Sequence, residues 1–272
     1  MFDLLLNHIE KYRSILLWQS NNNHSNNNNQ FKKYINIHTK QRSNWDCGIA
    51  CLSMAAKWSS DCDNDLHNEI IGNELSIRTT PLWTIDLYCF LRDNNINSIM
   101  YTRTIGISST HEELSWYQSH LSDDSNRVAN KFQLAKDHGW IIHDVIIDLN
   151  IIADNILNGS VAIILVDNYL LHNYNENDDD NDDNDDNYIF HYKLDEEKSN
   201  GKIHEYAGHY IFLLEYDPKN KIFTYLDPAL NASIVTVSFN VLEKARSHIG
   251  TDYDVIIIHR SQIDDTLKTD LH

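Results

Sequence analysis

At 272 residues, with 42% hydrophobic side chains, the chain is long enough to bury a sizeable core as one large domain with embellishments. Its formal charge of −18, from 40 acids against 22 Lys and Arg, excludes a nucleic-acid surface, because neutralising phosphates takes clustered cations. Cys47, Cys51, Cys62 and Cys89 match no secreted disulfide framework in a chain this size, so a reducing, cytoplasmic setting is expected.

The first segment, MFDLLLNHIEKYRSILLW, reads as an amphipathic helix rather than a signal peptide, since Asp3 and Glu10 interrupt it and no basic run precedes it. NNNHSNNNN at 21–29 cannot bury apolar surface and reads as a linker, so residues 1–30 stand apart from a domain at 31–262 and a tail at 263–272. The longest purely apolar run elsewhere, VAIILV at 161–166, falls far short of the roughly 20 residues that span a bilayer, and no membrane contact is expected. An insertion at about 173–203 holds NENDDDNDDNDDN, whose Glu176 and seven Asp repel one another and predict a disordered loop.

Between these tracts the elements alternate. CGIACLSMAAKW places Ala50, Cys51, Met54, Ala55 and Trp58 on one face of a helix beginning near Cys47. In TTPLWTIDLYCFLRDNN, Thr80 is the expected N-cap and Pro81 the first helical residue, with Trp83 and Tyr88 in the core. Then follow a strand at 97–102, a helix at 125–139 stopped by Gly139, a strand at 141–147, a helix at about 149–158 stopped by Gly159 and a buried strand at 160–167. After the insertion the period becomes that of strands, at 209–216, 221–227 and 233–239, with DPKN as the hairpin turn between the first two. A short helix from Asn240 and a last strand, DVIIIHR, complete an α+β order in which an N-terminal helical half packs on a C-terminal antiparallel sheet.

Chemistry centres on Cys47. A thiol is a useful nucleophile as thiolate, which a helix N-terminus or a neighbouring imidazolium favours. Asp46 fits as N-cap, which sets Cys47 in the first turn, among N–H groups that carry positive partial charge. Those N–H groups could hold an oxyanion, and Gln41, six residues upstream, offers a neutral amide as the second donor. The base must come from elsewhere in the chain, and His209 stands out because it opens a strand whose hairpin partner ends in Asp227. An odd number of loop residues sets His209 opposite Asp227 on one face, where the acid fixes the imidazole tautomer. An even loop sets them on opposite faces unless a β-bulge intervenes. Packing accounts for Cys51, Cys62 and Cys89.

WDCGIAC at 45–51, LWTIDL at 82–87, YTRTIGI at 101–107, AGHYIFL at 207–213, LDPA at 226–229 and HIGTDYDVIII at 248–258 together resemble the guanylyl cyclase domain-containing protein 1 family, whose plant relatives are called guanylyl cyclases. The matches run from about residue 36 to 260. That family is in turn similar to bacteriocin-processing cysteine peptidases that remove double-glycine leaders and have a papain-like fold. The resemblance implies that Cys47 is the nucleophile, His209 the base, Asp227 the orienting acid and Gln41 the oxyanion-hole residue. It implies a cysteine hydrolase needing no cofactor and acting on a peptide or protein.

Two other functions are in play. The family's name points to cyclisation of GTP with Mg or Mn, chemistry that wants paired carboxylates and phosphate-binding cations. Asp86, Asp144 and Asp148 are candidates, but no pair has metal spacing and no Gly-rich phosphate loop is visible. The other is a catalytically inactive binding module that kept the papain-like fold. A zinc site from Cys47, Cys51 and His67 lacks a second close pair of ligands.

Overall fold

The computed structural model describes residues 34–59, 82–118, 121–173, 205–231 and 234–260. The expected N-terminal helix and Asn linker, Cys62, His67, Thr80 and Pro81, the acidic tract and the tail lie outside those residues. In chain order the elements are α1 (Cys47–Ser59), α2 (Thr84–Asp93), β1 (Ser98–Thr102), α3 (Ser109–Glu113), α4 (Ser115–Gln118), α5 (Leu121–Asp137), β2 (Ile142–Asp144), α6 (Leu149–Leu157) and β3 (Val161–Asp167). There follow α7 (Asn168–Asn173), β4 (Gly208–Asp217), β5 (Ile222–Leu226), β6 (Ile234–Ser238), α8 (Phe239–Arg246), a 3₁₀ turn at Ile249–Thr251 and β7 (Val255–Ile258).

The strands form one seven-stranded sheet in the order β2-β1-β7-β3-β4-β5-β6. β1 and β2 run parallel, and every other neighbouring pair is antiparallel. Helices cover both faces of the sheet, rather than packing as one half against it. The side chains of β3 show why: Val161, Ile163 and Leu165 join a core under α1, α2 and α5, while Ala162, Ile164 and Val166 join a second core under α6 and α8. Successive strand residues point to opposite faces, so a strand without polar alternation needs cover on both sides. All seven residues of β3 are buried, each large aliphatic one contributing about 2 kcal/mol. This is a mixed α+β protein of three layers.

Local sequence sets the element ends. α5 stops where expected, with Gly139 at φ 66°, and α6 is capped by Asp148, whose carboxylate accepts from the Asn150 N–H at 2.7 Å. α2 begins later than expected, at Thr84, with Trp83 in the N-cap position. There the carboxylate of Asp86 reaches back to accept from the Trp83 N–H at 3.0 Å, satisfying one of the donors that a helix start leaves open. α1 is buried on all sides along 47–56, because it lies between α2 and β4. Its Gly48 is the point of closest approach: a Cβ there would sit 3.1 Å from Leu87 and 3.2 Å from Tyr210. A small residue after Cys47 is therefore what lets the helix start press against the sheet.

Candidate active site

Cys47 occupies the first turn of α1, with its residue 7% exposed at the edge of a cleft. Asp46 does hold the N-cap position, its carbonyl accepting the first helical bond from the Ala50 N–H at 3.0 Å. Its carboxylate, though, turns backward and accepts from the Arg42 and Ser43 N–H groups, the latter at 2.8 Å. This corrects the expectation that the Asp46 side chain caps the helix: it ties down the loop that approaches Cys47. The positive end of the helix is left to act on the Cys47 side chain.

The β4–β5 hairpin solves the parity problem by the bulge. Asp217 pairs with Ile222, so four residues, 218–221, form the connection. An even loop alone would send His209 and Asp227 to opposite faces. The register slips between Leu213 and Glu215, after which Leu213 pairs with Tyr225 and Phe212 with Leu226. The extra residue returns His209 and Asp227 to the same face, one step diagonal rather than directly opposite. His209 Nε2 then donates to Asp227 Oδ1 at 2.9 Å.

Electrostatics bind the cluster together. His209 is buried, which by itself disfavours its charge, but hydrogen bonds to Asp227 and Cys47 outweigh that and push its pKa up to about 10. Asp227 is wholly buried, which alone would raise its pKa; the nearby His172 imidazole and hydrogen bonds from His209 and from the Ala229 N–H at 2.9 Å instead hold it far below the carboxylate range. His172, from α7, places Nε2 3.3 Å from Asp227 Oδ2. Nothing local marks His172, because α7 lies just before the acidic tract in the chain and its tertiary position depends on where β3 ends. Cys51 is fully buried and its thiol is pushed well above 9.0, first by burial and then by the charges of Cys47 and Asp227.

Gln41 lies on a segment laced to the end of β5. The Gln41 N–H donates to the Pro228 carbonyl at 2.8 Å, and His38 Nε2 meets the Asp227 carbonyl at 3.0 Å. The Gln41 side-chain amide donates one N–H to Ser43 O at 2.6 Å, which fixes the orientation of the amide and leaves its second N–H.

The cleft beside Cys47 encloses about 810 Å³ counting its open mouth. Trp45, Trp83, Trp116 and Tyr117 are among its walls. Trp83 is half-buried, packing on the edge of the core while it lines the cleft, and Tyr88 is buried as expected. Gly250 belongs to the same lining, and a Cβ there would fall 2.7 Å from Tyr206, whose ring is stacked on His248 and has no room to yield. Gly250→Ala is expected to cost about 1–3 kcal/mol, read as a melting point lower by several degrees in a thermal scan. An unchanged melting point would show that the Tyr206 ring can move aside.

Of the paired-acid candidates, Asp86 is bonded to Arg127, Asp148 caps α6, and Asp144 is exposed at the end of β2. Among the described residues no three His, Cys, Asp or Glu side chains converge as a metal-holding group. No described helix is long and apolar enough to cross a membrane.

Fold and site define an α+β protein with a hydrogen-bonded Cys, His and Asp cluster at the start of a buried helix. The chain belongs to the family described as Guanylylate cyclase, whose profile matches residues 37–258. It is similar to Guanylyl cyclase 1 of Arabidopsis thaliana, at 28% identity over 225 residues that cover 82% of this chain and 74% of that protein. The matched span includes Gln41, Cys47, His209 and Asp227.

Proposed function

We propose that this chain is a papain-like cysteine hydrolase that cleaves an amide or related acyl bond of a peptide or protein, without a cofactor and in the cytoplasm. The observation that carries the reading is His209, buried between Cys47 and Asp227 and held toward its charged form by both. In the reaction the Cys47 sulfur attacks the acyl carbon and forms a C–S bond. The oxyanion rests on the Cys47 N–H at the helix start and on the free N–H of the Gln41 amide. His209 passes its proton to the leaving amine, and the C–N bond breaks. Water then attacks the thioester with His209 as base, restoring the thiol.

The family's name supports a second reading, production of cyclic GMP from GTP. The residues fit its magnesium or manganese poorly, since Asp86 and Asp148 are committed to Arg127 and to a helix cap. Among the described residues the cleft lining contains Asp124, Asp252 and Asp254 and no Lys or Arg, a poor match to a triphosphate. A peptide-aldehyde panel tests the proposal: a hemithioacetal adduct on Cys47, seen by mass spectrometry and lost in Cys47→Ala, is expected. Absence of any adduct, together with cyclic GMP formation from GTP that persists in Cys47→Ala, would replace the hydrolase reading with the cyclase one.

A further inference from the structure

The cleft holds a second polar group that the Cys47, His209 and Asp227 cluster does not use. Asp252 and Asp254 lie just before β7 and line the same cleft that Cys47 borders. Asp252 is fully engaged. Arg103 Nη2 donates to its Oδ1 at 2.9 Å, and His111 Nε2 lies 3.0 Å from its Oδ2. The Ser108 N–H donates to His111 Nδ1 at 3.0 Å, so that nitrogen carries a lone pair and the ring proton sits on Nε2, facing Asp252. His111 thus serves as a neutral donor, and Arg103 alone balances the Asp252 charge.

Asp254 is different. It is 8% exposed, the hydroxyls of Thr102 and Thr84 support its carboxyl, and its Oδ1 is buried with no hydrogen-bond partner among the described residues. A buried acceptor left without a donor costs free energy that a ligand can recover. Burial, and then the nearby charge of Asp252, push the Asp254 pKa up to about 7, outweighing the threonine hydroxyls and the charge of Arg103. Among the described residues no Lys or Arg lines the cleft. Thr84 also bonds Tyr210, the residue after His209, which links Asp254 to the strand that carries the proposed base.

We propose that this cleft contains a cation subsite in which Asp254 Oδ1 accepts from an ammonium or guanidinium group of the substrate, with the aromatic walls formed by Trp83 and Tyr117 around it. Aromatic faces and a carboxylate both attract such groups in a partly desolvated cleft. The subsite specifies which peptides the hydrolase takes, those with a basic side chain or a free amino terminus near the scissile bond, and in that sense it rests on the proposed function.

Two measurements keep the subsite separable from the hydrolase. In the first, the full chain is treated with methanethiosulfonates bearing 2-aminoethyl, 2-hydroxyethyl or 2-sulfonatoethyl groups, and rates at Cys47 are normalised to a free thiol. The aminoethyl reagent is expected to react about tenfold faster than the hydroxyethyl one, the sulfonate slower than both, and Asp254→Asn to bring the ratio to about 1. A ratio near 1 in the wild type, or one retained in Asp254→Asn, overturns the subsite and leaves the hydrolase standing. In the second, the melting point is read with N-acetylargininamide, N-acetyllysinamide and a neutral-side-chain dipeptide amide with a free amino terminus, against neutral acetamide. Stabilisation by the cations in wild type but not in Asp254→Asn supports the subsite even if Cys47 proves inert, and distinguishes guanidinium, side-chain ammonium and terminal ammonium as its occupant. No stabilisation by any of them overturns it. Should Asp254→Asn fail to fold, the charge series on the wild type decides alone.

Discussion

At pH 7 iodoacetamide is expected to label Cys47 on the order of 100-fold faster than Cys51, because the two thiols, one helical turn apart, meet opposite environments. Cys51 is wholly enclosed, and burial pushes its thiol well above 9.0, so under about 1% of it is thiolate at pH 7. Cys89 is equally enclosed and pushed up to about 12. Cys47 borders the cleft and faces an imidazole whose charged form persists to about 10. His209→Ala is expected to slow Cys47 labelling roughly 10- to 100-fold at pH 6–7, because the imidazolium that favours the thiolate is gone. Site-resolved mass spectrometry at several pH values reads both effects. Equal labelling of Cys47 and Cys51, or a Cys47 pH profile unmoved by His209→Ala, would remove the thiolate from the mechanism.

Asp227→Asn should lower both activity and stability by a large amount. The carboxylate is fully buried, bonded to His209 and to the Ala229 N–H, and close to His172. Loss of its charge leaves buried partners uncompensated, and about 3–5 kcal/mol of stability should go with it. Turnover of a cleaved peptide should fall by about 10²–10⁴, since His209 then lacks both its orienting partner and the support for its charge. The pH dependence has a definite sign. Asp227, with its pKa depressed, contributes stability that is present above the unfolded value of 3.8 and is lost as pH falls below it. His209, with its pKa raised, contributes stability that is complete below 6.5 and is lost as pH rises through about 10. The melting-point gap between wild type and Asp227→Asn should thus be widest between pH 4 and 6.5 and should close toward pH 10. A gap that stays constant with pH would mean that Asp227 acts through packing alone.

Much of this arrangement could be read from residue order, and the exceptions have physical causes. Gly139 and the apolar run of β3 announce themselves locally, and the structure places them as their chemistry suggests. The start of α2 does not, because Asp86 captures the Trp83 N–H and the expected N-cap lies too far upstream. The pairing of His209 with Asp227 was legible only as a condition. Whether they share a face depends on one extra residue at Leu214, and an aliphatic run such as IFLL contains nothing that marks where a bulge will form. After that bulge Glu215 points toward the α1 side, where it accepts from the Tyr34 hydroxyl at 2.7 Å. Asp252, Asp254 and His111 stayed hidden for a different reason. They come from segments more than a hundred residues apart, and only the insertion of β7 beside β1 brings those segments together. The one local sign was a pair of acids, two residues apart, leading into an otherwise apolar strand.

The place of β7 in the sheet bears on how the chain reaches this state. It is the last described strand in sequence, yet it lies between β1 and β3 and pairs with both. On a ribosome, the β1–β2 pair and the β3–β6 sheet are synthesised first and have no common edge until residues 255–258 emerge. Until then β1 and β3 each present an unpaired apolar edge, the kind of surface that recruits chaperones or seeds aggregation. Asp254 arrives with that closing strand, so the cleft acquires its buried acid in the same step that welds the two halves. A nascent chain therefore holds Cys47, His209 and Asp227 before it holds a finished pocket, and sheet closure sets the earliest moment at which substrate could be selected.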